Sequence, residues 1–329
     1  MKPDFNTAPS ATASLSARQH RLTLSDASAS KLQVVLYDAG MPDRPQLPPL
    51  LLVHSVNATA SAFEMEPVFL RQARLRRVVA LDLPGFGASD KPDLRYTPAL
   101  MRDAIVATLD WMGAGHVDLM ALSLGCEFAA EAALLRPARV RSLALVSPSG
   151  METRHAAEAY EGGRTREVAS LHRLLRSGVL GQGLYRLLTT RTSMSWYLGR
   201  AWGHGGFDPR LLEHGRLLAA LPGAAHAPLD FVAGTLFTRG VIERYRSLPM
   251  PLWVCGGREG PFTDVGACPQ RSANGFVVLR STLETGAMPQ FSLPEPFDEA
   301  YRKFLSTLAL GGGMVRPPEP MALAAHELV

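Results

Sequence analysis

Between Leu32 and Ser147, short aliphatic or β-branched runs alternate with stretches in which apolar residues recur every three or four positions. The runs are "LQVVLYD", "LLLVHS", "RVVALD", "VDLMAL" and "SLALVS". Their length suits strands, and their near-continuous apolar character suits strands covered on both faces of a mostly parallel sheet. The stretches between them predict helices starting near Glu64, Thr97 and Leu124. In "YTPALMRDAIVATLDWMG", Thr97 is placed to cap, Pro98 takes the first helical position and Gly113 marks the end.

The pattern changes after Gly150. Residues 151–246 hold helical segments such as "REVASLHRLLRSGVL" and "RLLEHGRLLAAL" and no convincing strand. "PLWVCGG" and "GFVVLR" then restore the strand rhythm, and "PFDEAYRKFLSTLA" reads as a closing amphipathic helix. This predicts an α/β domain built from residues 19–150 and 247–310, interrupted by a helical insertion over 151–246. Residues 1–18 and the Gly- and Pro-rich residues 311–329 read as disordered tails.

Composition narrows the class. With 329 residues and 47% hydrophobic content the chain can bury a sizeable core. No apolar run approaches the roughly 18–20 residues a spanning helix needs, so no membrane insertion is expected. The N-terminus lacks the apolar stretch of a secretory signal, which makes a cytoplasmic location the expectation. Three cysteines without a C-x-x-C pair fit a reducing compartment and argue against a zinc site. The net charge of +4 comes from scattered residues, mostly Arg, and reads as a solvated basic surface rather than a nucleic-acid patch. No phosphate loop, nucleotide fingerprint or metal cluster is seen, so the expectation is no cofactor, no metal and a small-molecule partner.

The segment "VDLMALSLGCEFAAEAALLRP" runs strand, sharp turn, helix, with Ser123 at the apex. Such a turn needs small residues two before and two after the serine, because the helix crosses close over the strand; here they are Ala121 and Gly125. Ser123 would sit at the positive end of the helix, with the Leu124 N–H free for an oxyanion.

Two further motifs accompany it. "LLLVHSVNATASAFE" ends a strand at His54 and enters a loop of small residues, with Ser55 in the glycine slot of an H-G-x oxyanion loop. "ALDLPGFGASDKPD" matches a D-x-P-G-x-G-x-S turn. In this order and spacing the three motifs resemble the α/β-hydrolase fold, with 151–246 as its helical cap. The resemblance implies Ser123 as nucleophile, Val56 and Leu124 as oxyanion donors, and a carboxylate after "PLWVC". Glu259 takes the usual slot with Asp264 as reserve; Glu259 reads equally well as a surface loop acid. A serine elbow argues against the aspartate-nucleophile chemistry of haloalkane dehalogenases and epoxide hydrolases.

The resemblance also implies a histidine in the loop after the last strand, where "ETGAMPQFSLPEPF" offers Ala287 and then Gln290. An amide takes no proton at neutral pH, so Gln290 is no substitute. No histidine occurs between residues 227 and 325, and His326 lies in the tail. His226, in the cap turn "LPGAAHAPLDF", is the candidate displaced base, although a packed or solvated cap histidine is its plainer reading. His54 suits a structural bond to the loop backbone. His155, His172, His204 and His214 read as cap surface or loop residues, and His20 and His116 as strand-edge residues. Two functions follow: a cap-bearing serine hydrolase acting on a small, partly apolar ester, amide or carbon–carbon substrate, or a non-hydrolytic descendant such as a binding protein, lyase or cyclase. Cap residues including Tyr185, Met194, Trp196, Tyr197 and Phe231 suggest an apolar pocket.

Overall fold

The computed structural model describes residues 13–25, 31–203 and 206–310. Its frame is an eight-stranded sheet in the order β1-β2-β4-β3-β5-β6-β7-β8. The strands are β1 (Arg18–Ser25), β2 (Lys31–Asp38), β3 (Leu50–Val53), β4 (Val78–Asp82), β5 (Val117–Leu122), β6 (Val140–Val146), β7 (Leu252–Gly257) and β8 (Leu279–Leu283). β1 pairs antiparallel with β2, and β2 with β4; every later pairing is parallel. Every residue of β3, β4, β5 and β7 is buried, as continuous apolar runs between two helical layers require.

Helices α1 (Glu66–Gln72), α2 (Pro98–Met112) and α3 (Gly125–Leu135) connect the early strands. Thr97 caps α2 by accepting the Leu100 N–H, and Gly113 ends it at φ +66°, where a side chain would be strained. Between β6 and β7 stand α4 (Ala169–Leu175), α5 (Val179–Leu188), α6 (Arg191–Trp202), α7 (Pro209–Ala219), α8 (His226–Val232) and α9 (Val241–Arg246). Main-chain bonds hold this segment to the sheet domain: the Asp230 carboxylate accepts the Tyr96 N–H at 2.7 Å, and the Tyr185 hydroxyl donates to the Ala58 carbonyl at 3.2 Å. After β8 come α10 (Pro289–Ser292) and α11 (Pro294–Leu310). Phe297, Tyr301 and Phe304 of α11 gather around Trp253 of β7, with ring centroids 5.3, 5.1 and 6.3 Å away.

Two expectations shift. Part of the predicted N-terminal tail is packed: Leu15 is buried, and the Ser14 hydroxyl donates to the buried Asp82 carboxylate at 2.9 Å. The last strand begins at Leu279, later than "GFVVLR" suggests, because Gly275 turns the chain at φ +82° and Val277 makes only an isolated bridge to Arg271. β8 is an edge strand with alternating exposure, so its apolar signal is weak. The predicted tails over 1–12 and 311–329 lie outside the described residues, as does His204.

Candidate active site

β5 ends at Leu122, and the chain reverses at Ser123, which adopts φ +52°. A non-glycine residue there is strained by ~1–3 kcal/mol, and such strain concentrates at functional sites. The turn is fixed by the Ser123 N–H donating to Val146 O at 2.8 Å and by the Cys126 N–H donating to Ser123 O at 3.0 Å. A Cβ at Gly125 would lie 2.3 Å from the His54 carbonyl oxygen, which explains the small residue two places after the serine. Leu124 caps α3 without a side-chain bond. Among the described residues, neither the Leu124 nor the Val56 N–H has a hydrogen-bond partner. Both are placed in buried residues at the head of α3 and in the loop beside it.

His54 is fully buried. Its Nε2 accepts the Leu83 N–H at 2.9 Å, so the proton sits on Nδ1 and is donated to the Ser55 carbonyl. Both nitrogens are occupied by backbone, and the ring orders the loop. The next residues form a clasp that sequence reading missed. The Ser55 N–H donates to Glu64 Oε2 at 2.9 Å, and Asn57 Nδ2 donates to Glu64 Oε1 at 2.7 Å. Glu64 is buried, and its partners lie seven and nine residues away, a relation no short motif encodes.

The Ser123 hydroxyl has no hydrogen-bond partner among the described residues. Ala287 is 9% exposed, and its loop is stitched to the end of α6: the Ala287 N–H donates to Ala201 O at 2.6 Å and the Gly286 N–H to Trp202 O at 2.9 Å. Gln290 is buried behind the loop, where Nε2 donates to the Glu64 carbonyl at 3.1 Å and Oε1 is unpartnered. His226 opens α8 and its Nδ1–H donates to Lys91 O at 3.0 Å; the structure gives it no contact with Ser123. His172 belongs to an internal cluster, with Nε2 2.9 Å from the buried Asp230 carboxylate. His155 lies against Glu158 and Arg166.

Of the two candidate acids, Glu259 follows β7 and is half-buried, with its N–H donating to Thr285 O at 3.0 Å. A Cβ at Gly203 would come 2.8 Å from its Oε2, so the carboxylate rests against the end of α6, near Gly286. Asp264 is exposed and fastens a loop, accepting the N–H groups of Gly266 and Thr153, each at 2.9 Å, and the Thr153 hydroxyl at 3.0 Å. Those bonds hold its carboxyl below the usual range.

Glu127 was also missed. Buried in α3, it accepts Ser149 Oγ at 2.7 Å and the Thr238 N–H at 2.9 Å, joining the helical segment to the sheet domain. Burial pushes its pKa up to about 7, while the Ser149 and Thr238 bonds pull the other way.

A cavity of about 440 Å³ opens beside the 57–64 loop, between it and α5 to α8. Its walls include Asn57, Phe63, Glu64, Tyr197, His214 and Phe231, and neither Ser123 nor His226. His214 thus lines a cavity rather than the outer surface, its ring tilted by 34° against Phe63 with centroids 4.8 Å apart. Burial lowers its pKa, and its Nε2 is buried without a partner.

Residues 48–205 match the family model for the α/β hydrolase fold. A 2-hydroxymuconate semialdehyde hydrolase from Pseudomonas putida is 30% identical over 141 residues, which cover 42% of this chain and 50% of the relative. A 2-(acetamidomethylene)succinate hydrolase from Mesorhizobium japonicum is 30% identical over 99 residues, 30% of this chain and 35% of the relative. The chain therefore spans half or less of the length of these curated relatives. The crystal structure of a probable hydrolytic enzyme from Pseudomonas aeruginosa superposes with a TM-score of 0.66 at 21% identity, over 88% of this chain and 95% of that one.

Proposed function

For this member of the α/β-hydrolase fold superfamily, we propose that Ser123 attacks the carbonyl of a small, partly apolar ester, amide or carbon–carbon substrate, and does so slowly for want of a base at position 287. The observation that carries the reading is the strained turn at Ser123, φ +52°, followed directly by the unengaged N–H of Leu124, with the Val56 N–H also unengaged in the loop after β3. Strain persists where a site needs it, and paired N–H donors stabilise the oxyanion that forms when a serine adds to a carbonyl. Helices α4 to α9 act as the cap that shapes the substrate space. The relatives' names, hydrolases of 2-hydroxymuconate semialdehyde and of 2-(acetamidomethylene)succinate, support hydrolysis of a small molecule.

The proton balance sets the rate. Attack by the Ser123 hydroxyl requires its proton to leave, and removal of the base from a serine triad costs on the order of 10⁶ in kcat while oxyanion binding alone leaves roughly 10³–10⁴ over water. A non-hydrolytic descendant, in which the pocket binds without acylation, is favoured by one observation: Ser123 Oγ has no histidine partner among the described residues.

Labelling with a fluorophosphonate probe separates the readings. Slow labelling of the wild type, absent in Ser123→Ala and faster in Ala287→His, is the expected result. Rapid wild-type labelling would mean a relocated base, to be found by replacing His226, His214 and His204 in turn. No labelling in any variant would favour the non-hydrolytic reading.

A further inference from the structure

The charge of the cavity beside the 57–64 loop points to a class of ligand. Glu64 is one of its lining residues; the Glu64 carboxylate accepts two hydrogen bonds, from Ser55 N–H and Asn57 Nδ2, and forms no ion pair among the described residues. No Lys or Arg is among the lining residues described. His214 on the same wall is held toward its neutral form by burial, and its Nε2 is buried without a partner. The nearby guanidiniums lie outside the lining. Arg210 covers Phe63 from 5.6 Å while paired with Glu66 and Asp208, and Arg200 covers Trp196 from 5.1 Å.

The walls thus offer one carboxylate without an ion-pair partner among the described residues and the rings of Tyr197 and Phe231. A desolvated carboxylate is stabilised by a cation and repels an anion, and aromatic faces attract ammonium groups. We propose that this cavity binds a cationic amphiphile, an ammonium head on an apolar body, with the head drawn to Glu64 and the body against the rings. Its volume, about 440 Å³, is that of a small-molecule site.

The test is calorimetric titration of Ser123→Ala protein with phenylbutylammonium, phenylbutanol and phenylbutyrate, which share one apolar body. The ammonium should bind about tenfold more tightly than the alcohol, and the carboxylate more weakly than either. Glu64→Gln should erase the preference for the ammonium. The order of the three probes on the unaltered cavity stands by itself should that variant fold poorly. Equal or tighter binding of phenylbutyrate, or no binding of any probe, overturns the proposal. Because Ser123 is absent from the titrated protein, this result is independent of whether Ser123 labels.

Discussion

The α-carbon of Gly125 faces the carbonyl oxygen of His54 so closely that a methyl group there would stand 2.3 Å from it. Both contacting groups are backbone-borne, so neither can rotate away. Gly125→Ala should therefore displace the start of α3 from the 54–56 loop and cost about 1–3 kcal/mol, the usual range for overpacking. Denaturant unfolding measures the loss, and Ser123 labelling should fall with it.

His54 orders the same loop from the other side. His54→Ala leaves the Leu83 N–H without its acceptor, and a buried donor left unpaired costs about 1–3 kcal/mol. The loss should appear in unfolding curves. Since both ring nitrogens are engaged by backbone, the variant should not shift the pH midpoint of any Ser123 reaction.

Glu127 makes stability depend on pH. Its carboxyl ionises near 4.5 when unfolded and at about 7 in the folded protein, mainly through burial. The folded state thus holds a proton that the unfolded state has lost between these values. The contribution is complete below the lower value and is lost as pH rises through about 7, by on the order of 3 kcal/mol. Glu127→Gln can keep both bonds, to Ser149 and Thr238, and should flatten the stability profile between pH 5 and 8 measured by urea unfolding.

The two candidate acids make opposite predictions in Ala287→His protein. Glu259→Gln should reduce Ser123 labelling at least about tenfold, because a restored imidazole needs an orienting carboxylate. Asp264→Asn should leave labelling within about twofold, since its oxygens serve Thr153 and Gly266.

What the sequence disclosed and what it hid follow from distance along the chain. Ser123, Ala121 and Gly125 are legible because the strand, turn and helix they join are neighbours, and the buried strands announce themselves by continuous apolar runs. The Glu64 clasp and the Glu127 bridge are silent: a carboxylate in a helix looks the same whether it faces water or a partner, and Thr238 is 111 residues from Glu127. β8 was misplaced for a related reason, because an edge strand exposes alternate residues and carries less apolar signal than the run just before it. The cavity was anticipated only as aromatic content, since its charge is a property of which residues converge.

Ser147 stands at the end of β6 as Ser123 stands at the end of β5, and it shares the left-handed backbone, at φ +44°. Its hydroxyl is buried without a partner, whereas Ser123 is a half-buried residue. Glycine would relieve the strain at either position. Under selection for folding alone, both serines should drift to glycine at similar rates; under selection for acyl chemistry, only position 123 should resist. The two neighbouring turns thus form a matched pair, in which a mutational library would register whether position 123 is constrained by more than the fold that both positions share.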